Sequence, residues 1–130
     1  MSQENVEIVQ RAFDAFHSGD ADRAEALATI DPNVVYSPVE DGPSYGLNAI
    51  RDQFERWESS WEELAETAEE FIDAGDRVVV TALYRGRGQG SGVHVEARFY
   101  AVYTLRDGRV VRVDEFTDRA EALEAAGLEE

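Results

Sequence analysis

Glu115 is the acid whose neighbours give it chemical potential. It lies in the segment Arg109 to Thr117, and the turn before it, Leu105-Arg106-Asp107-Gly108-Arg109, allows two registers. A two-residue turn sets the apolar row Val95, Ala97, Phe99, Ala101, Tyr103 and Leu105 beside Arg112 and Asp114, which mixes core with charge. A three-residue loop with Gly108 in the left-handed region sets the same row beside Val111, Val113, Glu115 and Thr117. The second register is the one expected. It makes Glu115 the lone carboxylate on an apolar face and turns Arg98, Arg112 and Asp114 the other way. Burial there disfavours the charged form and raises the carboxyl pKa toward the range useful to a general acid or base. The position equally suits a structural acid, paired with a buried arginine or reaching the rim into water. Arg85, at the end of a neighbouring strand segment, is the expected partner; such a pair would hold a polar ligand group or neutralise itself.

Other chemistry is thinly represented. The absence of cysteine removes thiolate nucleophiles, disulfides and cysteine-bound metal from the chain. His17 falls near a helix end and His94 on the polar side of a strand, too far apart in sequence to suggest a metal site, and both read as structural. The run Gly86-Arg87-Gly88-Gln89-Gly90-Ser91-Gly92 has no lysine and no helix behind it, so it reads as a flexible hairpin loop or lid rather than a phosphate cradle. Trp57 and Trp61 fit helix core and an aromatic pocket wall alike.

The elements that must carry these residues follow from spacing. Val6, Val9, Phe13 and Phe16 recur at three and four, one face of a helix from Glu4 to Phe16. Asp20 caps a shorter helix with Ala24, Leu27 and Ala28, which Asp31-Pro32 stops. Asn33 to Ser37 is a short strand, Pro38 to Gly46 a loop, and Leu47 to Trp61 a helix with Ile50, Phe54, Trp57 and Trp61 on its face. Four strand segments follow, Glu66 to Ala74, Arg77 to Arg87, Val93 to Leu105 and Arg109 to Thr117, and then a helix from Asp118 to Ala126. Helices first and a meander after them indicate α+β.

Composition narrows the partners. A chain of 130 residues is read as one domain, and its net charge of -16 repels nucleic-acid phosphates and anionic lipid surfaces. No signal peptide or apolar span is visible, so a cytoplasmic location is expected. His94, Arg98, Tyr100 and Val102 form a mixed outer sheet face, and a homodimer through that face is expected.

Over its whole length the sequence resembles the nuclear transport factor 2-like superfamily, and within it the SnoaL-like (polyketide cyclase-like) proteins. The resemblance rests on Val9-Gln10-Arg11 through Gly19-Asp20, on Asp31-Pro32-Asn33-Val34-Val35-Tyr36, and on Gly46 before Ala49-Ile50-Arg51. It closes on Asp107-Gly108-Arg109-Val110-Val111 and Phe116-Thr117-Asp118 before Glu121-Ala122-Leu123. It implies a cone-shaped, strongly curved, mostly antiparallel sheet wrapped by N-terminal helices, the cystatin-like α+β barrel. It also implies a mostly apolar pocket and often a dimer; for the chemistry itself no cofactor or metal is expected. The acids of the superfamily's steroid isomerases are missing, since their positions hold Ser37 and Ala101, and Ala12 stands where their tyrosine would be. The residue set of its epoxide hydrolases matches at Glu115 and Tyr36 but departs at Arg85 and Leu83.

Two functions are therefore expected. In one, a small apolar organic molecule undergoes isomerisation, cyclisation, dehydration or hydrolysis. Glu115 moves a proton, Tyr36 donates a hydrogen bond and Arg85 orients a polar group. The ligand then meets Ser37, Phe54, Trp57, Trp61, Phe99, Ala101, Tyr103, Val113 and Thr117. In the other, the domain only binds a ligand or dimerises, its pocket plugged by Trp57, Trp61, Phe99 and Tyr103 and Glu115 locked onto Arg85.

Overall fold

Alternation of inward and outward side chains builds a sheet with two different faces, and each face finds its own cover. The structure is a computed structural model that describes residues 2–17, 28–39 and 42–128. Among these the elements run α1 (Ser2–His17), β1 (Ile30–Ser37), β2 (Ser44–Tyr45), α2 (Leu47–Glu58), β3 (Trp61–Asp73), β4 (Arg77–Gly88), β5 (His94–Arg106), β6 (Arg109–Phe116) and α3 (Arg119–Ala125). The strand order is β2-β1-β6-β5-β4-β3. Only β1 and β6 pair in parallel, so the sheet is mixed, curved and open, with β2 and β3 as its edges. This is the expected α+β architecture. The helix expected from Asp20 to Ala28 lies almost wholly outside the described residues.

On the inner face, Val78, Val80 and Ala82 of β4 and Ala101, Tyr103 and Leu105 of β5 pack with Val9, Ala12 and Phe13 of α1. On the outer face Val79 of β4 and Val102 of β5 pack with Ala122, Leu123 and Ala126 at α3. Covered on both sides, Val78 to Leu83 is continuously buried, although a one-sided strand would alternate. Each fully buried valine there contributes about 1.5–3 kcal/mol relative to exposure. Asp118 caps α3 by accepting from the Ala120 and Glu121 N–H groups. The outer face is thus less open than its sequence suggests: Val102 is buried and Tyr100 half-buried beside α3, while Arg98 pairs with Glu69 at 2.7 Å.

Three local features depart from expectation. α2 ends at Glu58 rather than Trp61, because the Ser59 hydroxyl donates back to the Arg56 carbonyl and the chain turns. Trp61, an aromatic residue favoured in strands, then opens β3 five residues before the expected Glu66. The β5–β6 turn contains two residues, Asp107 (φ 55°) and Gly108 (φ 79°), with Arg106 opposite Arg109. Positive φ at both positions suits Asp-Gly in the tight hairpin turn whose twist matches the strands. The shift expected from a longer loop comes instead from a bulge at Val111: Leu105 pairs with Val110, but Thr104 with Arg112 and Tyr103 with Val113. Val111 therefore leaves the apolar row, and Val110 takes the core position beside Leu105.

The first three residues of the glycine run, Gly86, Arg87 and Gly88, belong to β4, and the remaining four lie in the connection to β5, as a hairpin loop requires. Gly86 is required by close approach, since a Cβ there would lie 2.6 Å from Trp61 Cε3 and 2.9 Å from the Glu63 carbonyl oxygen. Gly86→Ala is therefore expected to cost about 1–3 kcal/mol, read as a lower urea midpoint at unchanged slope. A midpoint equal to wild type would contradict the packing of Trp61 over β4.

Candidate functional site

β6 brings Val113 and Glu115 to the inner face, where Glu115 stands opposite Ala101 of β5. The small alanine side chain leaves space in front of the carboxylate. From the other side, the parallel register sets Tyr36 of β1 against Val113, one inward step from Glu115. The Tyr36 hydroxyl donates to the Glu115 carboxylate, and so does the backbone N–H of Val39 just beyond β1. Burial nevertheless dominates and raises the Glu115 carboxyl above the usual glutamate range, the two hydrogen bonds opposing it. The Tyr36 phenol is pushed upward by burial and then by the neighbouring carboxylate. Tyr84 and Tyr103 are raised for the same two reasons in the same order. All three phenols stay protonated, and Glu115 is the charge that they share.

Above this group opens a cavity of about 410 Å³, walled by Tyr36, Pro38 and Val39, by Gln53, Phe54, Arg56 and Trp57 of α2, and by Ser60, Glu66, Tyr84, Phe99, Glu115 and Thr117. Below it lies an apolar floor with Phe13, Ala82, Ala101, Tyr103 and Val113, where only about 10 Å³ remains. Tyr36, Phe54, Tyr84, Phe99 and Glu115 border both spaces. The rings interlock edge to face: Tyr36 with Phe54 at 5.2 Å and Tyr84 with Phe99 at 5.0 Å between centroids. Trp57 touches the cavity and reaches Tyr84 at 6.3 Å. α1 fills the floor and α2 walls the mouth, so the open volume begins at the carboxylate.

The expected site residues divide accordingly. Glu115, Tyr36, Phe54, Trp57, Phe99 and Thr117 line the cavity, and Ala101, Tyr103 and Val113 line its floor. Ser37, Trp61 and Arg85 line neither. Ser37 pairs with Asp114 and has its hydroxyl 3.4 Å from Arg112 Nη2. Trp61 packs on Trp57 at 5.4 Å and over Gly86. Arg85 does not meet Glu115. It is 66% exposed and ion-paired with Glu96 at 2.9 Å, in a shallow depression that also includes His94. The reason is strand parity: with Val78, Val80 and Ala82 turned inward, Tyr84 follows them and Arg85 points out. The same count from Val80 would have found Tyr84 in the sequence. Glu66 stands opposite Tyr84 on β3. Gln53 and Arg56 carry no sequence signal beyond lying near Phe54 and Trp57 on the helix. Among the described residues no group of three His, Cys, Asp or Glu side chains is arranged to hold a metal ion, and no helix is long and apolar enough to cross a membrane.

An open, curved sheet with a helix inside it and a cavity at its wide end is the architecture of nuclear transport factor 2-like proteins, and known structures agree. A candidate SnoaL-like polyketide cyclase from Jannaschia sp. CCS1 is 25% identical, with a TM-score of 0.77 over 99% of this chain and 95% of that one. TerC, crystallised with polyporic acid, is 23% identical, with a TM-score of 0.73 over 95% and 98% of the two chains. A protein of ketosteroid isomerase-like fold from Catenulispora acidiphila DSM 44928, in complex with trimethylamine, is 18% identical, with a TM-score of 0.71 over 94% and 93%. The last two share the fold alone. No curated protein shows significant similarity to the chain. The sequence profile of the SnoaL-like domain matches residues 9–113, and the chain belongs to that family.

The raised Glu115 carboxyl has a consequence for stability. A carboxyl whose folded-state pKa exceeds its unfolded value of about 4.3 favours the folded state at low pH and loses that contribution as pH rises through the folded value. The stability of wild type relative to Glu115→Gln should therefore fall as pH rises above about 4.3 and through the folded-state value, measured by urea unfolding of both proteins at each pH. A difference that is flat, or rises with pH, would contradict the desolvated carboxylate.

Proposed function

We propose that the chain binds a small, mostly apolar molecule in the cavity above Glu115, and that Glu115 exchanges a proton with it in an isomerisation, cyclisation, dehydration or hydrolysis. The observation that carries this reading is one carboxylate, raised by burial, at the boundary between an open cavity and an apolar floor. As the carboxylate it takes a proton from an acidic C–H or O–H group of the ligand. Once protonated it returns that proton to a ligand oxygen or carbon. Tyr36 holds the carboxylate in place between these steps, and Arg85 has no part in them.

A volume of about 410 Å³ falls within the range of small-molecule sites. The plugged, purely structural interior is disfavoured by that open volume and by the absence of a Glu115–Arg85 pair. Trimethylamine and polyporic acid, bound to neighbours of this fold, support occupancy of the architecture by small molecules. The cysteine-free composition supports a cytoplasmic place of action.

A thermal-shift screen with small ketones, lactones, epoxides, phenols and polyketide-like aromatics tests the reading. A ligand at a hundredfold excess over its Kd adds about 2.7 kcal/mol to stability, which raises the transition temperature by several degrees. That rise should shrink in Glu115→Gln, and turnover of the ligand should disappear with it. A hit retained in full by Glu115→Gln would remove the proton-transfer role and leave a binding domain; no hit in the panel would count against both. The homodimer through the outer sheet face belongs to the same proposal. Sedimentation of these samples at micromolar concentration should give twice the chain mass, and a monomeric mass would dismiss it.

A further inference from the structure

We propose that the molecule taken by this cavity is a cation, a compact protonated or quaternary amine with a hydrocarbon body, its positive centre held between the Glu115 carboxylate and the aromatic walls. The proposal rests on the small-molecule reading above and names the class of ligand.

Hydrogen-bond supply is the first argument. A carboxylate offers about four acceptor sites, and Glu115 accepts from the Tyr36 hydroxyl and the Val39 N–H. The Tyr36 proton is thereby committed. At Glu115 the inner end of the cavity offers a ligand acceptor capacity with negative charge, and an N–H donor or a cation matches it.

The walls are the second argument. Tyr36, Phe54, Trp57, Tyr84 and Phe99 ring the space, and aromatic faces attract cations most strongly where water is excluded. The Tyr36–Phe54 and Tyr84–Phe99 pairs meet at interplanar angles of 87° and 84°. In such pairs the ring presenting its edge keeps its faces uncovered by the partner.

Charge is the third. Glu66 adds a second carboxylate to the wall, against the single guanidinium of Arg56. Arg56 is exposed in the last turn of α2, where solvent screens it, whereas Glu115 acts from a half-buried site in which the same charge reaches further. The net charge of -16 draws cations toward the mouth and repels carboxylate or phosphate ligands.

A matched pair of probes isolates the charge: benzyltrimethylammonium and its uncharged carbon isostere, neopentylbenzene, each titrated into the full chain and followed by NMR shifts of the cavity residues. The cation should bind about tenfold or more tighter than the isostere, a difference of about 1.4 kcal/mol. Glu115→Gln should abolish most of that gap. Trp57→Leu, at a ring that is 39% exposed, should weaken the cation more than the isostere and so narrow the gap several-fold. This second variant keeps the test decisive if Glu115→Gln fails to fold. An isostere that binds in the cavity as tightly as the cation would overturn the cation inference and leave the small-molecule reading standing. Cation binding that neither variant weakens would also overturn the inference, because it would lie elsewhere. If neither probe shifts the cavity residues, the inference and the reading beneath it both fail.

Discussion

The hydrogen bond from the Tyr36 hydroxyl to the Glu115 carboxylate joins the two strands on which the site depends. It spans the parallel junction of the sheet, where β1 lies beside β6. A carboxylate half-withdrawn from water costs folding free energy unless its oxygens are satisfied. Tyr36 and Val39, from β1 and the residues just after it, meet that requirement. The site is therefore complete only when β1 is docked, and its chemistry and its topology have a common origin.

One residue decides whether that bond exists. Without the bulge at Val111, the tight Asp107-Gly108 turn would carry its register along β6 and turn Arg112 and Asp114 into the cone, leaving Glu115 in solvent. The extra residue shifts the pairing by one. Arg112 and Asp114 then meet each other outside at 2.9 Å, an exposed pair worth about 0–1 kcal/mol. Around this register the three helices divide the labour: α1 packs the inner floor, α3 shields part of the outer face, and α2 leaves the mouth open beside Phe54 and Trp57.

Periodicity made the strands and the inward position of Glu115 legible, because period-two patterning is strong in β5 and the alternative register mixed charge with core. The device was not legible: an Asp-Gly turn with a separate bulge and a longer glycine loop leave the same faces aligned, and backbone dihedrals distinguish them. Arg85 ends a strand that lies in the sheet, as expected, but its parity from Val80 turns it away from Glu115. The four-residue spacing of Trp61 from Trp57 fits a helical face, yet the two rings meet at 5.4 Å across a turn, with Trp61 already in β3. Glu66 was hidden for a different reason. Its facing depends on the β3–β4 pairing, which is interrupted by two register shifts that no local pattern signals.

The most direct test of this account is the titration of the Glu115 side-chain carboxyl by ¹³C NMR, in wild type and in Tyr36→Phe. The account predicts a midpoint above the ordinary value of about 4.3 and a further rise in Tyr36→Phe, since the lost hydrogen bond favours the charged form. A midpoint at or below the ordinary value, or one that Tyr36→Phe leaves unmoved, would contradict the desolvated, tyrosine-held carboxylate on which the site is built.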